Sequence, residues 1–170
     1  MSLDDPSSPD LRVNHSVSAV ALLENAIDRV NRRAPATPDD IDEIESVTGF
    51  SLPADLREVL QWSNGLSIRS SGTSLSMYDA YDLAYSSSEP HFDADLPGML
   101  ILGTDNSGSV FYADPNDQIG RGPWTVYLVR MSEMGIPHSM FVGTSVTDAI
   151  ATLLAPTDLY KRPELGAQSR

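Results

Sequence analysis

The sequence predicts an α+β domain in which helices at both ends of the chain pack against a mainly antiparallel or mixed sheet. Apolar residues recur at helical spacing ahead of Gly65 and again after Ser145, and between them the period becomes strand-like. The length agrees: 170 residues, 41% hydrophobic and 21% charged, suit one domain with a sizeable core. Residues 1–12, rich in Ser, Pro and Asp, read as a flexible arm, residues 13–155 as the domain and 156–170 as a polar tail.

Val20, Leu23, Ile27 and Val30 form the stripe of a first helix that ends near Arg32-Arg33, ahead of Pro35. Two arginines suit the negative end of a helix dipole and need no binding role. A second helix opens at Thr37-Pro38-Asp39-Asp40, with Thr37 as N-cap, Pro38 at the first helical position and Asp40 completing a capping box. It buries Ile41, Ile44 and Val47 and stops at Gly49. A third, short helix begins at Pro53, buries Leu56, Val59 and Leu60, and ends at Asn64-Gly65.

Strands follow over Leu66–Ile68 and Leu75–Tyr78. Met99–Leu102 is a continuous apolar run of the kind found in a strand covered on both faces. Asp105-Asn106-Ser107-Gly108 reads as a tight turn into Val110–Ala113, so these two runs form a hairpin. Trp124–Val129 is the next strand, and Met140-Phe141-Val142 is a candidate for one more. A last helix opens with Ser145 and Asp148 in a second capping box and buries Val146, Ile150, Leu153 and Leu154.

Charge and composition narrow the function. The chain has no cysteine, which excludes thiol catalysis, Cys-ligated zinc, iron–sulfur clusters and disulfides. No apolar run has the length of a bilayer-spanning helix, and the polar, acidic start is no signal peptide, so a cytoplasmic protein is expected. The net charge of -13 argues against nucleic acid or anionic membrane as ligand. That excess is localised: between residues 37 and 120 fifteen acids face only Arg57 and Arg69. Two explanations stand, a solvated surface or a basic partner. If the acids form one face, Asp79, Asp82, Asp93, Asp95 and Asp105 are expected to contribute to it.

Motifs for chemistry are missing. The sequence has no Gly-rich phosphate loop, HExxH helix, nucleophile elbow or dinucleotide fingerprint. His15, His91 and His138 have no metal-site spacing, and Asp105–Gly108 lacks the downstream Glu of a calcium loop. Neither a catalytic centre nor a cofactor is expected. Asn14-His15-Ser16 is a glycosylation sequon that stays inert without export.

Residues 37–66 carry a more specific pattern: the capped helix, Gly49-Phe50, Leu52-Pro53-Ala54-Asp55-Leu56-Arg57-Glu58-Val59-Leu60, then Trp62-Ser63-Asn64-Gly65-Leu66. This resembles the opening signature of the SUKH superfamily, the fold of many bacterial immunity proteins and of a fungal cell-wall-assembly regulator. The likeness continues through Met99–Asp105, Gly108–Asp114, Trp124–Val129 and the helix from Ser145, about residues 18–155 in all. The signature residues themselves are structural: Pro53 fixes a first turn, Gly65 permits a positive φ, and Asn64 can satisfy helix-end carbonyls. The resemblance implies a non-enzymatic protein-binding domain, foremost an immunity protein that blocks a toxin directly, with a basic toxin domain such as a nuclease as a fitting partner. The alternative it implies is an intracellular scaffold or regulatory subunit with no toxin partner.

Candidate contact residues follow from composition. Only in Tyr78–Tyr85 do aromatics and acids interleave without a base, with Asp79 and Asp82 among Tyr78, Tyr81 and Tyr85. The competing reading is a strand edge or helical turn whose tyrosines pack on the sheet. Trp62, at a helix end, and Asp105, in the hairpin turn, are the next candidates.

Overall fold

The computed structural model describes residues 17–70, 73–155 and 163–168. The expected arm, the sequon and the rest of the expected tail lie outside them. In chain order the elements are α1 (Ala19–Asn25), β1 (Val30–Arg32), α2 (Pro38–Thr48), α3 (Ala54–Trp62), β2 (Leu66–Ser70), β3 (Thr73–Met77), α4 (Ala80–Tyr85), α5 (Pro90–Asp95), β4 (Leu100–Thr104), β5 (Ser109–Asp114), β6 (Thr125–Arg130), β7 (Met140–Gly143) and α6 (Val146–Leu154). Among the described residues the seven strands form one sheet in chain order, and every neighbouring pair is antiparallel. The predicted α+β class holds, and the sheet is antiparallel throughout.

Side chains alternate across a sheet, so each strand supplies two faces. One face presents Leu66, Ile68, Leu75, Leu100, Leu102, Phe111 and Leu128, and packs against α1, α2, α3, α4 and α6 through residues such as Leu23, Ile44, Leu56, Leu83 and Ile150. The other presents Ile101, Val110, Tyr112, Tyr127 and Val129 beneath Phe92 of α5 and Leu96 just after it, with Ile136 and Leu165 at its margin. The β4–β6 runs are therefore apolar on both sides, as Met99–Leu102 predicted. Tyr112 and Tyr127 stack there with centroids 5.5 Å apart. Burial raises both phenols, that of Tyr127 to about 12, so both stay neutral core groups. Within the expected tail, Leu165 N–H donates to the Ser139 carbonyl at 2.8 Å and Glu164 bridges Met140, returning the chain to the sheet edge at β7.

The local rules explain most ends. Thr37 Oγ1 accepts from the Asp40 N–H at 3.2 Å while the Asp40 carboxylate accepts from the Thr37 N–H at 2.7 Å, and α2 ends at Gly49 with φ 73°. At the start of α6 only half of the expected box forms. Ser145 Oγ accepts from the Asp148 N–H at 3.1 Å, but the Asp148 carboxylate turns to the Thr144 hydroxyl. Asp55 ties α3 to α6: its Oδ2 accepts from the Thr147 N–H at 2.9 Å and the Thr147 hydroxyl at 3.1 Å. The β4–β5 register shifts between Ile101 and Gly103, where a Cβ would lie 2.0 Å from the Ser76 carbonyl of β3, so only glycine lets the strands approach.

The first helix differs from its prediction. It closes at Asn25, a single 3-10 turn covers Ile27–Arg29, and Val30–Arg32 becomes the edge strand. Ile27 is 51% exposed and off the stripe, whereas Val30 pairs with Ile68. The spacing from Leu23 to Val30 fits two helical turns, but it fits a turn and a strand equally well. The β-branched Val30 gains more from pairing with β2 than from a lone final turn.

Candidate functional site

After β3 the chain turns at Tyr78 into α4. Asp79 is its N-cap: Oδ1 accepts from the Asp82 N–H at 3.0 Å and Oδ2 pairs with Arg33 Nη1 at 3.1 Å. The Ala80 N–H donates to Asn64 Oδ1 at 2.7 Å, so Asn64 serves the start of α4 and not the end of α3 as the sequence suggested. At Gly65, with φ 79°, a Cβ would lie 3.2 Å from that of Asp79, and glycine lets the two segments meet.

Ala80, Leu83 and Ala84 are buried, which leaves Tyr81, Asp82 and Tyr85 on the outer side of the helix. Tyr81 is 69% exposed, and its ring lies 4.8 Å from that of Tyr85, tilted by 42°. The Tyr85 hydroxyl donates to Glu43 Oε1 of α2 at 2.8 Å. Asp79 meets Arg33 just ahead of α2, and Tyr85 meets Glu43 near its middle. The two helices therefore lie side by side, and Glu43 shares the outer surface with Tyr81 and Tyr85.

The electrostatics of this surface are those of crowded anions. Partial desolvation raises the Asp82 carboxyl pKa; the charges of Asp79 and Glu89 push the same way and Arg33 opposes them. Burial raises the Tyr78 phenol, aided by Asp82 and Glu89. The hydrogen bond to Glu43 raises that of Tyr85. Glu43, Asp79, Asp82 and Glu89 thus act on one patch around two exposed tyrosines, and a cation arriving there relieves their mutual repulsion.

The other candidates lie elsewhere. Trp62 is half-buried at the end of α3, where the Arg32 guanidinium sits 3.9 Å above its ring and Nη2 donates to its carbonyl at 2.6 Å. Tyr78 is half-buried and touches both cores. Asp105, at 3% exposure, is no surface contact: its carboxylate accepts from the Ser107 and Ser109 N–H groups at 2.9 and 2.8 Å and from the Ser107 hydroxyl at 2.7 Å, clamping the hairpin turn. Asp93 and Asp95 are exposed on α5, which covers the opposite face of the sheet. The single five-acid face expected from the sequence is therefore divided, and its coherent part is the α2–α4 surface. Sequence reasoning missed Glu43, Glu89 and Arg33. Glu89 lies four residues beyond the Tyr78–Tyr85 segment, and no local signal joins Glu43 to a tyrosine 42 residues away.

Among the described residues no group of three His, Asp or Glu side chains could hold a metal ion. No curated protein matches the chain. The SMI1 / KNR4 family (SUKH-1) does match, over residues 35–151, a span that contains α2, α3, α4 and the strands that support them. The chain, whose α+β architecture is the one its sequence pattern predicted, belongs to the SMI1 / KNR4 family (SUKH-1).

Proposed function

We propose that this domain acts by binding another protein without catalysing a reaction, and that it neutralises a basic toxin domain, such as a nuclease, by covering its active site in the cytoplasm. The observation that carries this reading is the Tyr81–Tyr85 pair, exposed on α4 amid Glu43, Asp79, Asp82 and Glu89. Interfaces draw binding energy from aromatic anchors, and surrounding charge sets the association rate and excludes wrong partners. Membership of a family of binding domains supports the general reading. Asp82 fits the specific one: it stands exposed among Asp79 and Glu89, like charges whose repulsion a basic partner would relieve.

Co-expression with a toxin encoded beside the gene tests the proposal. The wild-type chain restores growth, and a chain carrying both Tyr81→Ala and Asp82→Lys accumulates and melts normally yet protects poorly. Undiminished protection by that variant refutes the assigned surface. The absence of any neighbouring toxin gene refutes the toxin and favours a scaffold or regulatory subunit.

A further inference from the structure

Among the described residues, the second face of the sheet is only half covered. Phe92, Leu96, Ile136 and Leu165 lie over β4–β7. Over β1–β3 the same face presents Asn31, Ser67, Arg69, Ser74 and Ser76, none of them buried. Strand pairing sets Asn31 beside Ser67, Ser67 beside Ser76 and Arg69 beside Ser74. From the β4–β5 turn Asn106, held at φ 58°, reaches over β3, its Nδ2 donating to Ser76 Oγ at 3.1 Å and Ser74 Oγ at 3.4 Å. Between this wall and the Asp28-Arg29 segment ahead of β1 lies a trough of about 480 Å³.

The charge of the trough is opposite to that of the molecule. Among the described residues, Arg29 and Arg69 line it against Asp28 alone, in a chain of net charge -13. Arg29 is tied to the Leu154 carbonyl at 3.1 Å, whereas the exposed Arg69 guanidinium makes no hydrogen bond or ion pair among the described residues. Small-molecule pockets are mostly apolar. This floor instead offers hydroxyls, amides and a guanidinium, groups that suit a peptide backbone and a carboxylate. Adjacent strands lie about 4.8 Å apart, so the crossing from Asn31 to Asn106 is roughly 14 Å, the length of about four extended residues.

We propose that this trough is a second binding site, independent of the α2–α4 surface, which takes an extended polar segment of another protein with an Asp or Glu side chain on Arg69. The net negative charge of the whole molecule repels nucleic acid and other polyanions, so the ligand carries isolated acids and not a run of them. With sites on opposite faces of the sheet, the domain can hold two proteins at once.

The test is selection of a displayed random peptide library on the immobilised full chain, with synthesised winners measured by fluorescence anisotropy. The expected winners carry an Asp or Glu. Arg69→Glu and Ser74→Trp, both at exposed positions, each weaken them by about tenfold or more, the scale of a lost charge-assisted pair, while Tyr81→Ala leaves them unchanged. Three outcomes overturn the proposal: no enrichment over the Ser74→Trp chain, winners that bind the Arg69→Glu chain equally well, or winners rich in Lys and Arg and sensitive to Tyr81→Ala. The last would leave the α2–α4 reading standing while removing this one.

Discussion

Two aspartates show how differently one side chain serves a fold. Asp82 is exposed among like charges, and its pKa is raised. The ionised form is therefore disfavoured in the folded state, and this cost persists at every pH above the raised value and vanishes as the pH falls below 3.8, where both states are protonated. Asp82→Asn should thus raise the melting temperature modestly at pH 7, with the gain shrinking to nothing in acid; a loss of stability at neutral pH would contradict the assignment. Asp105 is the reverse case. Its replacement by Ala leaves two N–H groups of a tight turn without their acceptor, and urea unfolding should show a loss of about 1 to 3 kcal/mol. The sequence marked Asp105-Asn106-Ser107-Gly108 as a turn, and that reading already contained the answer, because a turn aspartate bonds its own backbone. Offering it also as a surface contact set composition above local chemistry.

At the scale of elements, the legible parts were those whose ends are written in adjacent residues. Thr37, Asp40 and Gly49 bound α2 by contacts within a few residues, and Ser145 opens α6 in the same way. The illegible parts depend on distant partners. α1 is shorter than its spacing predicts because Val30 pairs with β2, and the acids and aromatics of Tyr78–Tyr85 fit a strand edge and a helix alike. The buried set Ala80, Leu83 and Ala84, at helical spacing, decides for helix once Asp79 is seen as the cap. Because α4 is only six residues long, its cap matters. Asp79→Ala removes the acceptor of the Asp82 N–H and the Arg33 pair together, and should lower stability by about 1 kcal/mol, most of it from the cap because an exposed ion pair contributes little. A fall beyond about 3 kcal/mol would mean that α4 supports the core more than its caps indicate. The same variant disorders the Tyr81–Tyr85 surface, so partner binding should weaken along with it.

At the scale of the molecule, the described residues form a seven-stranded antiparallel sheet between a thick helical layer and a thin partial one, and charge is sorted over that frame. The apolar β4–β6 runs announced a second covered face, but which acids would share a surface was not readable, since α4 and α5 carry neighbouring sequence to opposite sides. No helix among the described residues is long and apolar enough to cross a membrane. A net charge of -13 makes association with a basic partner sensitive to salt. Stopped-flow mixing should show the on-rate falling steeply between low and physiological ionic strength while the off-rate, set by the tyrosines, changes little. The central claim, that the α2–α4 surface binds the proposed protein partner, is tested most directly by calorimetric titration of the wild-type, Tyr81→Ala and Asp82→Lys chains against a basic toxin domain found encoded beside the gene. The account predicts a loss of about 1 to 3 kcal/mol of binding free energy for each variant with the fold intact, and unchanged affinity for both would contradict it.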